Sequence, residues 1–197
     1  MSMNTKTISI LLLISAAVAC TPASPDGKSY REFSATLGEG SLSRTSLSCT
    51  SSLWDESGEE ITLVGQDGSL YTLPQTGVGS DRRSASFGGY VPESAVLEYA
   101  VYPASGDIGY EDGMLSLEIP STQEATEDSF QSGAPLCLST VGEDGTLHFR
   151  NLCALLGFTV NADDIVSIRF SATEASGGTL TGYTLAQMID GVPESLT

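Results

Sequence analysis

The chain has 197 residues, with 25 acidic against 8 basic side chains and a formal net charge of −17. A surface this acidic repels polyphosphates and anionic headgroups, which argues against nucleic acid or a charged bilayer face as partner. Aromatic residues make up 7%, with one Trp and one His, thin material for a sugar-gripping cleft or a histidine-built catalytic centre.

In chain order, Lys6 precedes an apolar run over residues 7–18, shorter than a mature bilayer-spanning helix needs. Ala16, Ala17 and Ala19 then lead into Cys20. A basic start, an apolar centre and a small-residue end make residues 1–19 a secretory signal. With the cysteine directly after it, Ala17-Val18-Ala19-Cys20 resembles a bacterial lipobox, with Ala17 where Leu is usual. The resemblance implies that Cys20 is lipidated and becomes the first residue of the mature chain. The lipid would then hold the protein on a membrane without spanning it. Residues 20–29, containing Pro22, Pro25, Asp26 and Gly27, read as a flexible tether.

Beyond the tether, apolar and polar residues alternate, the mark of half-buried strands. Phe33, Ala35 and Leu37 alternate with polar neighbours, as do Leu115, Leu117 and Ile119, and again Val166, Ile168 and Phe170. Two hairpins are nearly explicit: 61–64 with 69–73 across Gly65-Gln66-Asp67-Gly68, and 137–141 with 146–150 across Gly142-Glu143-Asp144-Gly145. Each Asp-Gly supplies the residue that tolerates positive φ in a tight reversal. Residues 152–160 are apolar almost throughout and read as a central strand buried on both faces. About nine short strands without an amphipathic helix predict an all-β antiparallel fold, a sandwich or barrel. Residues 183–197 are too few to fold alone and read as a short helix around 185–189, or as the start of a second domain. The chain reads as cut short.

The chemistry-bearing residues are scattered. His148 lies in Leu147-His148-Phe149, on the face opposite its apolar neighbours, as a surface strand residue would. No Gly-x-Ser-x-Gly nucleophile motif is present to accompany it. Gly27-Lys28-Ser29 mimics the end of a phosphate loop, but Pro22 stands where its leading Gly belongs. Glu59-Glu60, Glu111-Asp112 and Asp163-Asp164 lack the ligand alternation and central Gly of a calcium loop and read as solvated turns. No catalytic residue, metal ligand or cofactor is assigned, and the chain reads as non-enzymatic. Cys49, Cys137 and Cys153 match no metal or redox spacing. They read as small buried hydrophobes, with a Cys137–Cys153 bridge open as an alternative.

Taken in order, the motifs over residues 30–182 resemble the fimbrillin family, Bacteroidales lipoproteins that serve as subunits and accessory proteins of surface fimbriae. The pieces are Phe33-Ser34-Ala35, Arg44-Thr45, Leu53-Trp54 with Gly58, and Ile61-Thr62-Leu63. Ala85-Ser86-Phe87, Tyr99-Ala100-Val101-Tyr102-Pro103 and Ile119-Pro120-Ser121-Thr122-Gln123 follow. Gly133-Ala134-Pro135, the run Leu147-His148-Phe149-Arg150-Asn151-Leu152-Cys153, Leu155-Leu156-Gly157-Phe158 and Leu180-Thr181-Gly182 complete the series. Gly58-Glu59 stands where the family has Gly-Asp, and residues 183–197 read as the entry to the family's second sandwich or C-terminal tail. Within these pieces Trp54 and Phe87 read as core aromatics, and Pro103 and Pro120 as strand ends.

The resemblance implies a Greek-key, transthyretin-like β-sandwich over residues 30–182. It also implies an outer-membrane lipoprotein at the cell surface or in a fimbria, with other fimbrial subunits as partners. Some relatives mature by cleavage after an Arg, and Arg44 follows Ser41-Leu42-Ser43, a small-residue loop of the kind proteases cut. Cut there, the strand over 30–37 loses its covalent tie, so that Phe33, Ala35 and Leu37 mark a displaceable strand. A strand from a neighbouring subunit would take its place. The second reading is a carbohydrate-binding surface lipoprotein that uses Tyr71, Tyr90 or Tyr110 as stacking platforms.

Overall fold

A computed structural model describes residues 27–37, 53–122, 125–126, 129–130, 136–153, 159–171, 181–190 and 192–196. Residues 1–19, expected to be a secretory signal, and Cys20, Arg44 and Cys49 lie outside the described residues.

The described residues form strands and no helix. They are β1 (Lys28–Leu37), β2 (Glu60–Gly65), β3 (Leu70–Val78), β4 (Ser84–Pro92), β5 (Leu97–Tyr102), β6 (Gly109–Glu111) and β7 (Met114–Ile119). After them come β8 (Ala125–Thr126), β9 (Ser129–Phe130), β10 (Cys137–Thr140), β11 (Thr146–Asn151), β12 (Gly182–Ile189) and β13 (Val192–Leu196). Both anticipated hairpins form, β2 with β3 and β10 with β11. Their turns are built alike: Gly68 and Gly145 have φ of 78° and 76°, and Asp67 and Asp144 each accept a backbone N–H at 3.0 Å from two residues ahead. β5 stops at Tyr102 and β7 at Ile119, each before a proline that has no N–H for the ladder.

The all-β expectation holds and most pairings are antiparallel, but the main sheet closes on itself. Its order is β1-β11-β10-β5-β2-β3-β4, a seven-stranded barrel. β1 closes it, antiparallel to β4 and parallel to β11. The short alternating strands fit a sandwich or a barrel and the family resemblance implies a sandwich; closure removes the edges that a sandwich would leave. A four-stranded sheet, β13-β12-β7-β6, packs outside the barrel.

This arrangement makes two cores. The barrel interior holds Phe33, Ala35, Ile61, Leu63, Leu73, Phe87, Ala100, Leu147 and Phe149 around Trp54. Trp54 precedes β2 and is fully buried, with its ring 4.9 Å from Tyr102, 5.2 Å from Phe87 and 6.0 Å from Phe149 in edge-on contacts. The second core lies between the sheets: Val64, Tyr99, Val101 and Leu138 on the barrel's outer face meet Leu115, Leu117 and Ala186. β2, β5 and β10 are therefore covered on both faces. Thr62 is buried among them without cost to its hydroxyl, which donates to Ser105 O at 3.2 Å and accepts from Ser105 N at 3.1 Å.

Three expectations change. Among the described residues the two-faced strands are β2, β5 and β10; of the strand expected over 152–160, Leu152 and Cys153 form a bend after β11, 159–160 are exposed, and residues 154–158 lie outside the described residues. The helix considered for 185–189 is strand β12, whose Gly182–Ala186 stretch pairs with β7 from Ile119 back to Leu115. Residues 166–170 alternate as a strand does, yet lie in no strand and are exposed, because alternation supplies an apolar face but not a ladder partner.

Candidate functional site

Of the residues singled out in the sequence, Phe33, Ala35 and Leu37 converge on one feature, the closing strand of the barrel. Phe33 and Ala35 are buried in the interior, and Leu37 packs partly buried against it. β1 is in register with β4 from Lys28↔Pro92 to Thr36↔Ser84. Only its second half also pairs with β11, from Ser34↔Thr146 to Leu37↔Phe149. The first half thus hangs from one neighbour and the second is held from both sides.

Among the described residues the side-chain ties of β1 are mostly solvent-facing. Thr76 Oγ1 donates to Glu32 Oε1 at 3.3 Å, Arg31 donates to Glu93 O at 3.2 Å, and Thr36 Oγ1 lies 2.9 Å from His148 Nδ1. Ser34 N–H donates to Gly145 O at 3.1 Å, which docks β1 on the β10–β11 turn. Tyr30, half exposed, meets Tyr90 edge-on at 5.6 Å. Gly88 on β4 makes room for it, since a Cβ there would run into the Tyr30 ring and the Thr76 methyl. A glycine inside a strand, as Gly88 is here, marks such a close approach of neighbouring groups.

His148 is exposed on β11, opposite buried Leu147 and Phe149, as its alternation implied. The acidic pairs sort differently. Glu60, Glu111, Asp112, Asp163 and Asp164 are exposed, whereas half-buried Glu59 accepts the Tyr102 hydroxyl at 2.8 Å.

Among the described residues the shifted ionisations move away from neutrality. Burial and the Glu59 contact raise Tyr102. The hydrogen bond to Glu98 pushes Tyr110 up to about 12, and burial pushes the Cys137 thiol up to about 12. Ser69 and Thr146 hold Asp67 and Asp144 below the usual carboxylate range through the turn hydrogen bonds. Among the described residues no group of three or more His, Cys, Asp or Glu is placed to hold a metal.

The candidate stacking tyrosines do not share one face. Tyr71 packs against the inner core and Tyr110 against the outer, while Tyr90 stands beside Tyr30. Tyr71 also lines a depression of about 270 Å³ with Gln66, Asp67, Pro92, Ser94 and Val96. The chain matches no family model, no curated protein and no solved structure.

Proposed function

We propose that this chain is a non-enzymatic, lipid-anchored structural or adhesion protein of the outer membrane, a fimbrial subunit or accessory subunit assembled by strand exchange at the β1 position. The observation that carries the reading is the placement of β1. It is first in sequence among the described strands, and both of its ladder partners come from the chain after residue 53. Its departure would remove one whole strand while leaving β2–β5, β10 and β11 as one covalent body. The vacated slot would present unpaired backbone groups of β4 and β11, together with the recesses of Phe33 and Ala35.

An incoming strand would run antiparallel to β4 and parallel to β11. Main-chain bonds would give it affinity, and alternate side chains its register. Repeated between different surfaces of successive subunits, the contact builds an open filament. Cleavage after Arg44 would release β1, and lipid on Cys20 would hold the uncut chain at the membrane. In this reading, the layer between the outer sheet and β2, β5 and β10 corresponds to the sandwich of the fimbrillins.

Two measurements test it. A chain beginning at Thr45 should bind a synthetic peptide alternating large apolar residues, and a chain that keeps residues 28–37 should not; equal binding by both, or by neither, ends the strand-exchange reading. Labelled fatty acid should mark the wild type and not Cys20→Ala. The depression beside Tyr71 favours carbohydrate binding as a second reading. It calls for Tyr71→Ala to abolish glycan binding by the intact chain.

A further inference from the structure

The β10–β11 hairpin brings two cysteines to one place. Cys137 opens β10 opposite Asn151, the last residue of β11. One rung beyond, Leu152 N–H donates to Leu136 O at 2.8 Å, so the pairing outlasts the strands themselves. Side chains alternate between faces along such a ladder. Leu136, Leu138 and Leu152 pack in the outer core, while Cys137 points into the barrel. The same alternation turns Cys153 to the Cys137 face as its diagonal neighbour, a spacing of about 7–8 Å across paired strands that a bridge must shorten. Both side chains are thiols, and the Cys153 sulfur is near enough to act electrostatically on Cys137. Cys153 is half-buried and sits in a bend past the strand end. The Cys137 thiol donates to Asn151 Oδ1 at 3.0 Å, a contact that a bridge would replace.

We propose that Cys137 and Cys153 form a disulfide that fastens the β10–β11 hairpin to the chain leaving it, and that the bond is made before the barrel closes. A disulfide needs the two Cβ atoms about 4 Å apart, and movement at the bend brings Cys153 in. The two S–H bonds break, one S–S bond forms, and two protons and two electrons pass to a small-molecule or enzymic disulfide, which is reduced to two thiols. Compartments outside the cytosol supply such oxidants, in keeping with the secretory signal. The order of events follows from burial. The attacking species is a thiolate, and the closed barrel keeps Cys137 protonated and shielded, whereas the unfolded chain exposes both thiols sixteen positions apart. The bridge would hold the strand on which β1 closes the barrel, whatever the fate of β1.

The test is oxidative refolding of the full chain from denaturant in a mixture of reduced and oxidised glutathione, followed by peptide mapping by mass spectrometry. A peptide joining Cys137 to Cys153, lighter by two hydrogens than its reduced parts, is expected as the main linked product. Its formation should lower the unfolding equilibrium constant roughly a hundredfold relative to the reduced chain. That gain should vanish in Cys153→Ser, the milder substitution should Cys137→Ser not fold. The folded, reduced chain placed in the same mixture should acquire the link at least about tenfold more slowly. Both thiols still alkylatable after oxidative refolding, or linkage chiefly to Cys20 or Cys49, would overturn the pairing. Equal rates from folded and unfolded chains would overturn the order of events.

Discussion

Phe33-Ser34-Ala35-Thr36-Leu37 and Val166-Ser167-Ile168-Arg169-Phe170 share one pattern, apolar residues at every second position with polar ones between. Their fates are opposite. Phe33 and Ala35 are 4% and 0% exposed, whereas Val166 is 97% exposed and Phe170 50%. The side chains do not explain this, since the exposed segment carries the larger apolar groups at two of its three positions. The backbone does. β1 has a rung to β4 along nearly its whole length and to β11 along its second half, while 166–170 belong to no strand. Alternation creates an apolar face, but a face is buried only when N–H and C=O groups beside it are paired, since an unpaired buried peptide group costs free energy.

The largest effect that bears on this contrast is at Phe33. Phe33→Ala should cost about 3–5 kcal/mol, the range for emptying a buried aromatic site, read from the urea midpoint of the full chain. A loss under about 1 kcal/mol would place β1 with 166–170 as a segment the fold does not depend on. Next comes Ala35, directly opposite Ala85, both buried. Two facing alanines leave no room for a branched side chain, so Ala35→Leu should cost about 1–3 kcal/mol by overpacking. A neutral result would mean that β1 shifts freely outward.

How much of this was legible in the residues depended on distance along the chain. The two hairpins were readable because each turn carries its own instruction, an Asp to accept the N–H two residues on and a Gly for positive φ. β1 and β7 were readable from alternation, and Trp54 and Phe87 as core aromatics. Closure was not, because the β1–β11 contact joins positions more than a hundred residues apart and a parallel rung leaves no local mark. The two-faced burial of β2 was hidden by Thr62, a polar residue made tolerable only by Ser105. The β12–β13 hairpin was misread because a short mixed segment fits a helix or a strand until its partner, here β7, is known. Of the candidate site, Phe33, Ala35 and Leu37 were read correctly as one strand, but its two-sided seat and its dock on Gly145 were not. Cys20 and Arg44 fall outside the described residues.

A smaller effect separates the two turns. Thr146 and Ser69 hold Asp144 and Asp67 below the ordinary carboxyl value. A depressed folded value contributes stability above the unfolded value of about 3.9, lost as pH falls through the folded one. Both carboxyls are fully exposed, so the contribution is slight. The turns differ in what rests on them: the Asp144 turn carries Gly145 O, which receives Ser34 N–H. Asp144→Asn keeps an acceptor oxygen but does not titrate, so it should flatten the urea midpoint between about pH 4 and pH 2 relative to wild type. It should also steady protection of the Ser34 amide against hydrogen exchange. Asp67→Asn should flatten the midpoint without touching Ser34 exchange; equal Ser34 effects from both variants would mean that the β10–β11 turn does not dock β1.

The smallest expected effect is the most direct check on the contrast, because it asks whether the 166–170 pattern has any use in the isolated chain. Val166 is almost fully exposed, so its side chain gains no transfer free energy from folding. Val166→Ser removes an apolar group from water and leaves no cavity, and the urea midpoint should move by no more than about 0.5 kcal/mol, the range of surface substitutions. The matching change in β1, Ala35→Ser, introduces a hydroxyl at a fully buried position and should cost about 1–3 kcal/mol. The pair thus compares one polar swap at two places of equal pattern and unequal pairing. A cost above about 1 kcal/mol at Val166 would mean that 166–170 is seated against another surface in solution, and pattern alone would then have sufficed to bury it. A dilution series separates the sources: a cost that fades at low protein concentration comes from a second copy, and one that does not comes from within the chain.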